Sequence, residues 1–99
     1  MSSFELRAKE TFADWMIDLR RQLRIVDDSD SLYYLGIYLF TVKRWEKNGA
    51  YPRLLSLLSM AERLSLHTNE TPQDILDTMI ESIPHWRKIN DKARVLEQR

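Results

Sequence analysis

Three cations, Lys43, Arg44 and Lys47, fall within five residues, and Arg53 follows shortly after. Arg and Lys so grouped suit phosphate oxygens and guanine edges, the commonest specific contact in a DNA major groove. A second cluster is acidic: Asp27, Asp28 and Asp30. Its spacing lacks the glycine and distal glutamate of a calcium loop. It suits a turn and the N-cap of a helix instead. His67 and His85 lie in separate connectors with no partner at ligand spacing, so neither marks a metal site. The chain has no cysteine, which removes thiol nucleophiles, disulfides and thiolate-held metals. No Ser-His-Asp set, phosphate-cradling glycine loop or paired carboxylates can be picked out. The residues therefore imply binding rather than catalysis, with no catalytic residues, cofactor or metal. Asn69-Glu70-Thr71 matches a glycosylation acceptor, which matters only for a secreted chain.

These residues need elements to position them. Phe4, Ala8, Phe12, Trp15, Met16, Leu19, Leu23 and Val26 recur at steps of three or four, which predicts a helix over 3–26. Ser2 and Glu5 have the form of a capping box at its start. A short helix then ends at Leu35-Gly36, glycine being favoured where a helix stops in a left-handed turn. The next helix spans 38–47, with Val42 and Trp45 on its core side. Asn48-Gly49 closes it. Pro52 sits at the first position of a further helix, whose Leu54, Leu55, Leu57, Leu58, Ala61 and Leu64 form a wide apolar stripe. Met60 and Met79 read as core. Thr71-Pro72 opens a fifth helix with Ile75, Leu76, Met79, Ile80 and Ile83 inward, ended or kinked by Pro84. Residues 85–99 form a sixth amphipathic helix or a tail.

The chain is 99 residues long, enough for one domain, and 43% hydrophobic. Two glycines and three prolines leave long helical stretches intact. The fold class expected is all-α, one compact domain of five to six helices. No apolar run is long enough to span a bilayer, and the N-terminus lacks the pattern of a secretory signal, so a cytoplasmic location away from membranes is expected. Fifteen basic residues balance fifteen acidic ones, for a net charge of zero. Nucleic-acid binding then requires the cations to be gathered on one surface.

Leu35, Gly36, Ile37, Thr41, Val42, Arg44, Trp45, Glu46, Tyr51 and Pro52 fall in a recognisable pattern with no insertion or deletion between them. The segment from Leu32 to Pro52 resembles the helix-turn-helix of lambda-repressor-like (Xre-type) regulators, and the likeness extends over residues 5–66. The resemblance implies a helix-turn-helix at 30–48 and a division into a family-like domain, 1–70, and a C-terminal helical extension, 71–99. It implies a transcription regulator of phage or mobile-element type, a repressor for instance, acting on double-stranded operator DNA. The helix 38–47 would read the major groove through Tyr38, Leu39, Phe40, Lys43, Arg44 and Lys47. Arg53, with the amides opening the next helix, would hold a phosphate. Arg20, Arg21 and Arg24 would add to the same field. One such helix reads few base pairs, so a homodimer is expected, assembled through Ile75, Met79, Ile83 and Trp86.

The chain departs from the family pattern in two places. Leu32 stands where a small residue is usual, and the tip Tyr38-Leu39-Phe40 is apolar where polar residues are the rule. That tip supports an alternative: a protein-interaction module on a helix-turn-helix scaffold, binding another regulator or a host protein.

Overall fold

The computed structural model describes residues 5–47 and 50–83. They form five helices: α1 (Phe12–Leu23), α2 (Asp28–Leu35), α3 (Leu39–Trp45), α4 (Leu54–Ser65) and α5 (Pro72–Glu81). No strand occurs among the described residues. The expected all-α single domain is what the chain builds. None of these helices is long and apolar enough to cross a membrane. Met1–Phe4, Asn48, Gly49 and 84–99 lie outside the described residues, and with them Ser2, the 48–49 turn, Pro84, Trp86 and the sixth helix.

The first helix is shorter than its periodicity predicts. Its N-cap is Thr11, whose hydroxyl accepts from the Asp14 amide at 3.1 Å. Ahead of it residues 5–10 are not helical and lie against α1. Gln22 pins that segment, its side chain exchanging hydrogen bonds of 2.9 and 2.8 Å with the Glu5 backbone. The Lys9 amide donates to Ser82 Oγ at 2.9 Å, tying the same segment to the end of α5. At the other end α1 stops at Leu23 because Arg24 turns left-handed, with φ 54° and ψ 46°. The Ile25 amide then reaches back to the Arg20 carbonyl at 3.0 Å, a six-to-one closure of the Schellman type. The turn resets the helical phase. Ile25 goes into the core, while Val26, placed on the buried stripe by periodicity, stands exposed.

One core joins all five helices. Phe12, Trp15, Met16 and Leu19 of α1 meet Leu35, Val42, Trp45, Leu57, Met60, Ala61, Leu64, Ile75, Met79 and Ile83. Phe12 stacks on Trp15 at 5.7 Å and meets Trp45 edge-on at 6.4 Å. Trp15 Nε1 donates to Thr78 Oγ1 at 3.2 Å, satisfying the indole inside the core. Ile75, Met79 and Ile83, read from the sequence as a dimer surface, are instead buried in this core. α5 packs against α4.

The start of α5 follows its sequence signals, with Thr71 as N-cap and Pro72 in the first turn. The start of α4 does not. Arg53 is its N-cap, and Pro52 lies one residue before it, buried. Only Leu57, Met60, Ala61 and Leu64 of α4 are buried, so its apolar stripe is narrower than expected. Leu54, Leu55 and Leu58 are exposed.

Arg24 holds a conformation that costs an L-residue roughly 1–2 kcal/mol and glycine little. Arg24→Gly should therefore raise stability by about 0.5–1 kcal/mol in urea unfolding, the gain being offset in part by unfolded-state entropy.

Candidate nucleic-acid interface

The orientation of α3 is decided at its junction with α2. Gly36 is left-handed, with φ 74° and ψ 15°, and its amide donates to the Leu32 carbonyl at 3.0 Å. A Cβ there would lie 3.0 Å from Arg63 Cδ of α4, so the glycine also admits that side chain. Arg63 Nε donates to the Tyr33 carbonyl at 3.2 Å, near the exposed end of α2. Below the elbow, buried Ser31 donates from its hydroxyl to the Ile37 carbonyl at 2.7 Å.

The acidic run is spent on backbone amides. Asp27 caps α2 by accepting from the Asp30 amide at 2.9 Å. Asp30 accepts from the Val26 amide at 3.1 Å. Asp28 reaches across the turn and accepts from the Leu39 amide at 2.9 Å, capping α3 from its neighbour. The capping role read from the sequence is therefore correct, and it extends to a second helix. No helical spacing links Asp28 to Leu39, so this contact had no sequence signal. Its carboxylate occupies the positive end of the α3 dipole, where an anion would otherwise be held.

With Val42 and Trp45 turned inward, the opposite side of α3 is uncovered. Phe40, Lys43 and Arg44 lie on that side at helical spacing, while Lys47 follows two residues past the end of the helix, which is shorter than the 38–47 expected from the sequence. All four are exposed, Phe40 to 73%. Tyr38, the N-cap, is 61% exposed beside them. Leu39 is the exception. It is half-buried and packs on the core, unlike the exposed Tyr38 and Phe40 on either side of it. Arg53 is exposed at the start of α4, a helix with no side-chain cap. Trp86 lies outside the described residues.

The α1 arginines divide. Arg20 is not available as free positive charge. Its Nε and Nη2 donate to Glu46 at 2.6 and 3.1 Å, and its Nη1 approaches the Ile25 carbonyl at 3.4 Å. This bidentate pair fastens the C-cap of α3 to α1 and is half-buried, with 28% and 13% of the two side chains accessible. Arg21 and Arg24 are exposed around a shallow hollow floored by Ile17 and Ile25. The family-like Glu46 thus serves as an anchor, a role its place in the motif does not reveal.

Glu46→Ala leaves Arg20 with one long carbonyl contact in a half-buried setting. The expected loss is about 1–3 kcal/mol by thermal or urea unfolding, with the Arg20→Ala and Glu46→Ala costs less than additive in the double variant.

The sequence matches no protein-family model, and the chain has no match among curated proteins or solved structures.

Proposed function

We propose that the chain is a sequence-specific DNA-binding regulator that reads the major groove with the outward stripe of α3. The observation that carries this reading is the stripe itself. Lys43 and Arg44 project from one side of a short helix, Lys47 follows just past its end, and among the described residues none of the three is in an ion pair. A chain of zero net charge that leaves these cations unneutralised on one face concentrates positive potential there. Lys43 and Arg44 are suited to guanine edges and phosphates, and Phe40 to thymine methyls. Lys47 and Arg53 flank them for backbone contacts. By analogy with lambda-repressor-like regulators, the action would be that of a phage-type repressor.

A second reading is supported by a specific feature. Phe40 and Tyr38 expose aromatic surface next to the Asp28 carboxylate, a combination that suits a protein partner more than a phosphate backbone. Substitution of Phe40 serves this test better than Leu39, whose partial burial would confound binding with folding.

Retention of a pool of duplex fragments, including the chain's own upstream region, at two salt concentrations tests the DNA reading. Selective retention that falls steeply with salt is expected. Lys43→Ala with Arg44→Ala should weaken it by about tenfold or more while leaving helicity unchanged. No retention at low salt overturns the proposal. Loss of a co-purifying protein on Phe40→Asp alone would favour the interaction module.

Asp28→Asn separates the readings further. The amide oxygen can still cap Leu39, but the negative charge is gone. On the DNA reading affinity rises severalfold at low salt and the gain shrinks as salt increases. An unchanged affinity would place Asp28 away from the bound duplex.

A further inference from the structure

The hollow at the end of α1 brings two chemistries together. Its volume is about 380 Å³, and it is lined by Ile17, Arg20, Arg21, Arg24, Ile25 and Val26. Ile17 and Arg21 are four apart on α1, and Arg24 follows as the C-cap. The turn at Arg24 then brings Ile25 back beneath them, through its amide bond to the Arg20 carbonyl. No acid lines the hollow. Arg20 is paired with Glu46. Arg21 and Arg24 are exposed, and among the described residues neither is in an ion pair. The aspartates that follow in sequence do not neutralise them. Asp27, Asp28 and Asp30 accept from backbone amides instead. Arg24 adds an independent observation. Among the described residues it is the sole non-glycine residue with a positive φ. Glycine is the cheaper residue at such a helix end. A cation there complements the negative end of the α1 dipole, but Arg20 and Arg21 in the last turn already do so. A side chain held in a costly conformation, with no acid from its own chain against it, points to a partner from outside.

We propose that this hollow binds a small amphipathic carboxylate, an anionic head joined to a short aliphatic or aromatic body. Charge complementarity selects the head. Arg21 and Arg24 each present a planar fork of donors that matches two carboxylate oxygens. The apolar lining selects the body. Ile17 and Ile25 floor the hollow, and Val26, 73% exposed, is covered when the body lies against it. The volume is at the small end of ligand sites, which run from about 300 to 1,000 Å³, so the body is short. A bare phosphate would satisfy the arginines and leave the isoleucines and Val26 in water. A neutral apolar molecule would cover them and leave the arginines without an anion. A ligand carrying both parts uses the whole lining. The inference does not depend on what α3 binds.

Titration of the isotope-labelled full chain with hexanoate and with benzoate, followed by amide chemical shifts, tests it. Saturable shifts are expected at Ile17, Arg21, Ile25 and Val26, with a dissociation constant on the order of a millimolar, the range for so small a ligand. Hexanol keeps the body without the charge, and acetate the charge without the body. Each should bind about tenfold more weakly or worse. Arg24→Gly separates binding from folding. It should be at least as stable as the wild type in urea, because the left-handed turn favours glycine, yet bind hexanoate about tenfold more weakly. Arg21→Gln should weaken binding similarly with unchanged far-UV circular dichroism, since Arg21 is exposed. No saturable shift at these amides with either carboxylate, an equal response to hexanol, or full affinity in Arg24→Gly overturns the proposal. Inorganic phosphate binding there as tightly as hexanoate also overturns it, and assigns Arg21 and Arg24 to a phosphate backbone. Because no DNA is present in the titration, either result leaves the α3 reading to its own test.

Discussion

The left-handed turn at Gly36 is the constraint on which the rest of the structure depends. Without it α2 cannot end where Ser31 reaches the Ile37 carbonyl and Asp28 reaches the Leu39 amide. Those two contacts fix the direction in which α3 leaves the elbow. That direction turns Val42 and Trp45 toward Phe12 and the core. Once they are inside, Phe40, Lys43, Arg44 and Lys47 have nowhere to go but outward. The candidate interface is thus a consequence of core packing rather than an added feature.

The other end of α3 is secured by different chemistry. The Arg20–Glu46 pair joins its C-cap to the last turn of α1, close to the left-handed Arg24. A seven-residue helix is too short to be stable alone, and its stability comes from its neighbours. Here it is held at the first residue by a carboxylate from α2, along one side by aromatic packing, and at the last turn by an arginine. Such bracing suits a helix that must present side chains in a fixed register, whatever it binds. The arrangement also has an electrostatic consequence. The cations concentrate along the middle and C-terminal part of α3, while Asp28 keeps its N-terminal end negative.

Among the described residues, the basic and aromatic side of α3 and several leucines of α4 are uncovered when the core is complete. They differ in character, one charged and amphipathic, the other apolar with a single acid.

Much of this was legible in the residues. The helix order, the elbow glycine, the inward pair Val42 and Trp45, the Thr71-Pro72 start and the capping role of the aspartates all follow from local rules, because caps and periodicity act within one or two turns. Boundaries and burial needed the tertiary structure. Periodicity alone continues a helix through residues 3–26, but Thr11, Gln22 and the turn at Arg24 end it sooner and shift Val26 out of the core. A run of leucines in α4 does not show which of them meet a neighbour, since that depends on where α2 and α5 lie. The isoleucines and methionine of α5 were equally ambiguous: an apolar stripe is the same whether it faces a partner or its own chain. The sequence by itself determined the elements and the stripe of cations. Only the packing of five helices decided that Leu39 turns inward while Phe40 stands out, that Asp28 caps a helix across the turn, and that the free apolar face is on α4, because each of these depends on contacts between residues far apart in the chain.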